Sequence, residues 1–113
     1  MATQKVPDLS RVEMAVLATL VSKERYGLEI RNTVQELGQS LSLAGLYTTL
    51  ARLEKQGLVT ARWDDEKVDV RQGARRRYYA ITGFGSRALA HAKAVVTKIL
   101  RAVPNVAHAG ALA

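Results

Sequence analysis

The chain contains no cysteine. Disulfide scaffolds, zinc fingers with thiolate ligands and cysteine nucleophiles are thereby excluded, and the composition fits a reducing compartment. Long apolar runs are missing as well. The apolar stretch Ala15 to Val21 is far short of the roughly 20 residues that a membrane-spanning helix needs. Met1 to Arg11 has no apolar core of the signal-peptide kind. The expectation is a soluble cytoplasmic protein without a membrane partner. Aromatics are scarce, at 5%. Acids disappear entirely from Val70 onward, where eight Lys or Arg remain. A length of 113 residues is too short for a Rossmann dehydrogenase, a TIM barrel or a large multidomain enzyme.

What is present is enough apolar material to fold. Apolar residues make up 48% of the chain, which rules out a disordered polycation. Seventeen Lys and Arg stand against ten Asp and Glu, a formal charge of +7. A basic excess gathered in one part of a chain points to a polyanion partner, with plain solubility as the competing reading.

Periodicity organises the rest. Residues 1–8 read as a disordered arm. Asp8 or Ser10 is placed to cap a first helix. Leu9, Val12, Val16 and Leu20 form one stripe on it, and Met14, Leu17 and Val21 form a second, so more than one side is apolar. Ser22 to Arg25 is a polar break. Tyr26, Ile30, Val34 and Leu37 mark a second helix, with Gly38 where a left-handed cap belongs. Ser42 is placed to cap a third helix from about Leu43 to Gln56, stopped at Gly57. Its apolar stripe is narrow: Leu43, Leu46, Leu50 and Leu53. The opposite face carries Ala44, Gly45, Thr48, Thr49, Arg52, Lys55 and Gln56.

After Gly57 the pattern shortens. Leu58 to Trp63 and Arg77 to Thr82 have strand character, and the polar stretch Asp64 to Ala74 joins them as a hairpin. Thr82 is placed to cap a fourth helix that ends before Pro104, with Gly83 and Gly85 weakening its first turn. Residues 104–113 read as a flexible tail. The expected fold is mostly α with a small β-hairpin: a winged helix-turn-helix over residues 9–82 plus a C-terminal dimerisation helix over 83–103.

Three segments carry a resemblance: YGLEIRNTVQE, SLAGLYTTLARLEKQGLVTARW and RRRYYAITGFG. In order and spacing they resemble the PadR family of bacterial transcriptional regulators, over about residues 9–89. The resemblance implies a DNA-binding repressor, usually a homodimer held by its C-terminal region. Only one helix fits there, as in the short subfamily. Two positions depart from the family pattern. Thr48 stands where Pro is frequent in the recognition helix, and Gly83, Phe84 and Gly85 stand where acids are frequent after the second strand.

The third helix is the first candidate for DNA contact. A recognition helix turns its N-terminal half to base edges. Ala44 and Gly45 permit close approach, and Thr48, Thr49 and Arg52 supply hydrogen-bonding groups for bases or phosphates. Ser42 at the helix start favours a phosphate. Tyr47 reads as packing, with a hydroxyl able to reach a phosphate. In the hairpin loop Lys67, Arg71, Arg75, Arg76 and Arg77 can neutralise phosphates or enter a minor groove. Asp64, Asp65, Glu66 and Asp69 in the same loop repel DNA; the loop reads as two-sided, with Asp64 to Glu66 turned away and Arg71 to Arg76 toward the duplex. Trp63 reads as a packing anchor at the hairpin base.

A dimer interface is expected from Met14, Leu17 and Val21 on the first helix and from Leu89, Ala92, Val96, Ile99 and Val103 on the fourth. The resemblance also implies a small-molecule effector near that interface. With only Phe84 on the fourth helix, its pocket would be aliphatic, around Met14, Leu17 and Val96. No catalytic set, cofactor motif or metal-ligand spacing is legible: His91 and His108 are too far apart, and the acidic loop lacks calcium-loop spacing. Two other classes stay open: a winged-helix protein-interaction module that never touches DNA, for which the acidic loop argues, and a nonspecific chromatin-type protein.

Overall fold

The computed structural model describes residues 5–64 and 76–104. The elements run α1 (Arg11–Thr19), β1 (Arg25–Tyr26), α2 (Gly27–Glu36), α3 (Leu43–Lys55), β2 (Val59–Trp63), β3 (Arg77–Ile81) and α4 (Gly83–Ala102). This is the winged-helix order with a long helix appended.

Helix starts are set by side chains that catch otherwise unpaired amides. Ser10 Oγ accepts from the Glu13 N–H at 3.1 Å, and Glu13 Oε1 accepts from the Ser10 N–H at 2.8 Å, a reciprocal capping box. Ser42 Oγ accepts from the Gly45 N–H at 3.0 Å, and Thr82 Oγ1 from the Gly85 N–H at 2.9 Å. Chain reversals after α2 and α3 fall at Gly38 (φ +82°) and Gly57 (φ +78°), the left-handed region that glycine enters without strain.

The sheet has three strands in the order β1-β3-β2, all antiparallel neighbours. The expected hairpin strands are β2 and β3, and β1 adds a third strand that was not expected. Arg25, read as the end of a polar break, and Tyr26, read as the start of the second helix, pair with Tyr79 and Tyr78. Two residues are too few to show a strand period, so only the partner strand makes them one.

The core is formed by Val16, Leu17 and Leu20 of the α1 region, Ile30 and Val34 of α2, Leu46, Leu50 and Leu53 of α3, Leu58 and Val59, Tyr79 of β3 and Ala88 of α4. Leu17 is fully buried among them. It serves its own domain and is not available to a dimer interface, contrary to expectation. The reason is that α1 is covered by both α2 and α4 of its own chain, so its second stripe is partly spent at home. Met14 stays half-buried and Val21 exposed.

α4 is fixed to the domain at its first turns. Thr82 Oγ1 donates to the Gly57 carbonyl at 2.7 Å while its N–H donates to the Leu58 carbonyl at 3.1 Å. Gly85 packs directly on that junction: a Cβ there would lie 2.1 Å from the Leu58 carbonyl oxygen. This glycine is a requirement of close packing and not a weak point in the helix. Further along, α4 leaves Val95, Ile99 and Leu100 exposed, as is Val103 just beyond it. No helix among the described residues is long and apolar enough to cross a membrane.

Candidate nucleic-acid interface

α3 is oriented by its leucines. Leu46, Leu50 and Leu53 are fully buried, and helical geometry then fixes the opposite face outward. Ala44, Thr48 and Arg52 are exposed on that face, with Ser42 exposed at its start. Leu43, expected in the stripe, is exposed instead. Gly45 is half-buried, and a Cβ there would lie 3.1 Å from both Leu41 Cδ1 and Ser42 Oγ. Its small size therefore serves the cap turn.

The threonine hydroxyls point back along the helix. Thr48 Oγ1 donates to the Ala44 carbonyl at 3.1 Å, and Thr49 Oγ1, half-buried, donates to the Gly45 carbonyl at 2.9 Å. With their protons spent on the backbone, both present acceptor lone pairs. In a major groove those suit the amino groups of adenine or cytosine. Arg52 supplies the complementary donor fork.

The wing root is tied to α3. Arg77 of β3 donates from Nη2 to both carboxylate oxygens of Glu54, at 3.0 and 3.2 Å, and its guanidinium lies 5.5 Å from the Trp63 ring centroid. Arg62 pairs with Glu24 and stacks on Tyr78 at 5.0 Å. That pairing holds the Glu24 carboxyl below the usual range. Arg76 lies over the Tyr26 ring at 4.5 Å, and Tyr26 meets Tyr78 edge-on at 5.8 Å. The result is an alternation of guanidinium and aromatic faces across all three strands.

Trp63 is half exposed, which corrects its reading as a packing anchor: it ends β2, beyond the reach of the helical core. Tyr47, also half exposed, leans over the start of α2, where a Cβ on Gly27 would sit 2.5 Å from its hydroxyl. Tyr26 and Trp63 were not singled out for this surface by sequence reasoning, and Arg77, expected to meet phosphates, is instead paired with Glu54. The signal available was an arginine beside an aromatic at 25–26, 62–63 and 77–78, which makes sense only once the strands lie side by side. Lys67, Arg71 and Arg75 lie outside the described residues.

At the opposite side, the half-buried Met14, Leu89, Ala92 and Val96 border the groove between α1 and α4. It contains an apolar cavity of about 440 Å³, also lined by Ala15, Ala18 and Leu37. Among the described residues no group of three or more His, Cys, Asp or Glu is placed to hold a metal ion.

A helix-turn-helix with a basic outward face and arginines at the root of a β-hairpin defines a class, the winged-helix regulators. Residues 16–91 match the transcriptional regulator PadR-like family, and the chain belongs to that family. It is similar to a PadR family transcription regulator of Clostridium difficile, with 27% identity and a TM-score of 0.73 over 82% of this chain and 94% of that one. It also shares the fold of Bacillus subtilis PadR, solved in complex with operator DNA, at 24% identity and a TM-score of 0.63 over 73% of this chain and 46% of that one. An uncharacterised Lysinibacillus sphaericus protein is 31% identical over 77 residues, 66% of this chain and 67% of the relative.

Proposed function

We propose that the chain is a sequence-specific DNA-binding repressor that acts as a homodimer on a near-palindromic operator. The observation that carries this reading is the outward face of α3. Fully buried leucines fix Thr48 and Arg52 toward solvent in a domain whose family is one of transcriptional regulators. α3 enters the major groove with Ala44, Thr48, Thr49 and Arg52 toward base edges, while Ser42, Tyr47 and Arg76 meet phosphates. Lys67, Arg71 and Arg75, in the sequence between β2 and β3, add positive charge for phosphates. The operator complex of the B. subtilis relative supports the same use of the fold.

The dimer reading is supported by unspent apolar surface. Ile99 is 56% exposed and Leu100 64% exposed on one helix. Burying a Leu, Val or Ile is worth roughly 1.5–3 kcal/mol per side chain. Met14, Val21, Leu89, Ala92, Val96, Ile99 and Val103 of two copies thus supply enough to offset the cost of association. A two-fold pair then reads half-sites about one helical turn apart. The cavity beside Met14, Leu89 and Val96 is the place for an apolar small-molecule effector, whose binding would change the angle between the two α3 helices.

The test is selection of bound fragments from the genome with the pure protein, followed by footprinting. A protected near-palindrome supports the reading. Failure to retain any fragment at low salt contradicts it and favours a protein-interaction module.

A further inference from the structure

We propose that Glu54 and Arg77 are positioning residues whose ion pair braces the wing against the recognition helix, an inference that rests on the DNA-binding reading above. The pair sets the angle at which β2 and β3 leave α3, so that helix and wing meet one duplex in register.

The hairpin is anchored at its inner end by the chain itself. Gly57 turns the chain out of α3, Leu58 and Val59 are buried, and the Thr82 N–H donates to the Leu58 carbonyl at 3.1 Å. Val59 pairs with Ile81 at that end, and Trp63 pairs with Arg77 at the other. Trp63 lies four residues beyond Val59, about 13 Å along a strand. A swing of about 10° over that length moves the outer end by about 2 Å, well beyond the roughly 0.5 Å within which a binding constellation must be held. An inner anchor alone leaves that angle free, and a second anchor further out fixes it.

The second anchor is the pair between Glu54 and Arg77. Glu54 stands in the last turn of α3, and Arg77 Nη2 donates to both of its carboxylate oxygens, at 3.0 and 3.2 Å. The guanidinium also lies 5.5 Å from the Trp63 ring centroid and 5.7 Å from that of Tyr79. Its Nε is shut from solvent and has no hydrogen-bond partner among the described residues. Glu54 and the two rings therefore set the direction of this side chain. The side chains of Arg77 and Glu54 are 38% and 36% exposed, and an ion pair so open to water adds little to stability. What it adds is geometry. The sign of the effect separates this role from plain electrostatics. An acid on the recognition helix repels a polyanion, so neutralising it on charge grounds alone tightens binding. A brace predicts the reverse.

The test uses the full-length chain and a duplex recovered by genomic selection. Glu54→Gln removes a negative charge and breaks the ion pair while keeping the shape of the side chain. Its affinity should fall about tenfold with the urea midpoint unchanged. Hydroxyl-radical footprinting should show central protection kept and flanking protection weakened. The slope of log affinity against log salt should fall by about one unit as a wing phosphate contact is lost. Arg77→Gln should lose a similar factor, and the double variant should lose no more than either single variant, because all three remove the same contact. Binding by Glu54→Gln equal to or tighter than wild type would overturn the brace and leave the DNA-binding reading standing. Additive losses in the double variant would do the same, and would mark Arg77 as a phosphate contact in its own right. A lowered urea midpoint with an unchanged footprint would reduce the pair to a contact of the fold and overturn the brace as well. Failure of the wild type to bind any fragment would overturn both readings.

Discussion

Two glycines two residues apart at the start of α4 should respond in opposite ways to the same substitution. Nothing lies within 4 Å of a Cβ added at Gly83, whereas one added at Gly85 meets the Leu58 carbonyl oxygen at 2.1 Å, Ile81 Cγ1 at 2.9 Å and the Leu58 carbonyl carbon at 3.0 Å. The Ile81 side chain can give way, but a backbone carbonyl cannot. α4 must therefore move outward by about 1 Å to reach ordinary van der Waals separation. Three hydrogen bonds fasten that corner: Thr82 N–H to the Leu58 carbonyl, Thr82 Oγ1 to the Gly57 carbonyl, and Gly85 N–H to Thr82 Oγ1. Weakening two of them costs about 1–3 kcal/mol, and overpacking adds about 1–3 kcal/mol. Ala returns about 1 kcal/mol of helix propensity over Gly. Gly85→Ala should thus destabilise by about 1–5 kcal/mol, while Gly83→Ala should be neutral or slightly stabilising. Urea unfolding of both variants at one fixed protein concentration measures the difference. Equal midpoints for the two variants would refute the close packing of α4 on the α3–β2 junction.

Other outcomes follow from the same geometry. Arg52→Ala should lose about 1–3 kcal/mol on the selected operator and much less on unrelated duplexes if its fork reads a base, which filter-binding or anisotropy titrations resolve. Ser10→Ala removes one half of the capping box and should cost about 1 kcal/mol in thermal unfolding. Ile99→Glu places a charge on exposed apolar surface of α4. Sedimentation should show wild type as a dimer and this variant shifted toward monomer, with operator affinity falling in step. Burial raises the Tyr79 hydroxyl above the ordinary 10.0, with Arg77 partly opposing. The folded state therefore favours the neutral phenol. Its contribution is whole at neutral pH and is lost as the pH climbs past about 10 and through the folded value. Tyr79→Phe should flatten that alkaline limb in a stability-against-pH series.

Local rules made much of this architecture legible in the sequence. Ser42 and Thr82 cap the helices they precede, and Gly38 and Gly57 turn the chain with positive φ. The leucine stripe of α3 was readable because every later member faces the same core. What escaped depends on partners distant in sequence. β1 is a strand only because β3 lies beside it, and Arg25-Tyr26 alone has no period. Leu17 belongs to a stripe that looks surplus on α1 in isolation, yet it is fully buried in the core of its own domain. Gly85 reads as a helix breaker until the Leu58 carbonyl is placed against it. The brace at the wing root has the same origin. Glu54, Trp63 and Arg77 come from three separate elements, and no spacing rule joins them.

The central claim is discrimination between DNA sequences, and one measurement tests it most directly. The full-length protein is titrated against the duplex recovered by genomic selection and against a scrambled duplex of equal length and composition, both at a single salt near physiological strength. The account predicts that the selected duplex binds at least about 10³-fold more tightly. Equal affinity for the two duplexes would contradict it, and would leave only the attraction of a basic surface for any polyanion.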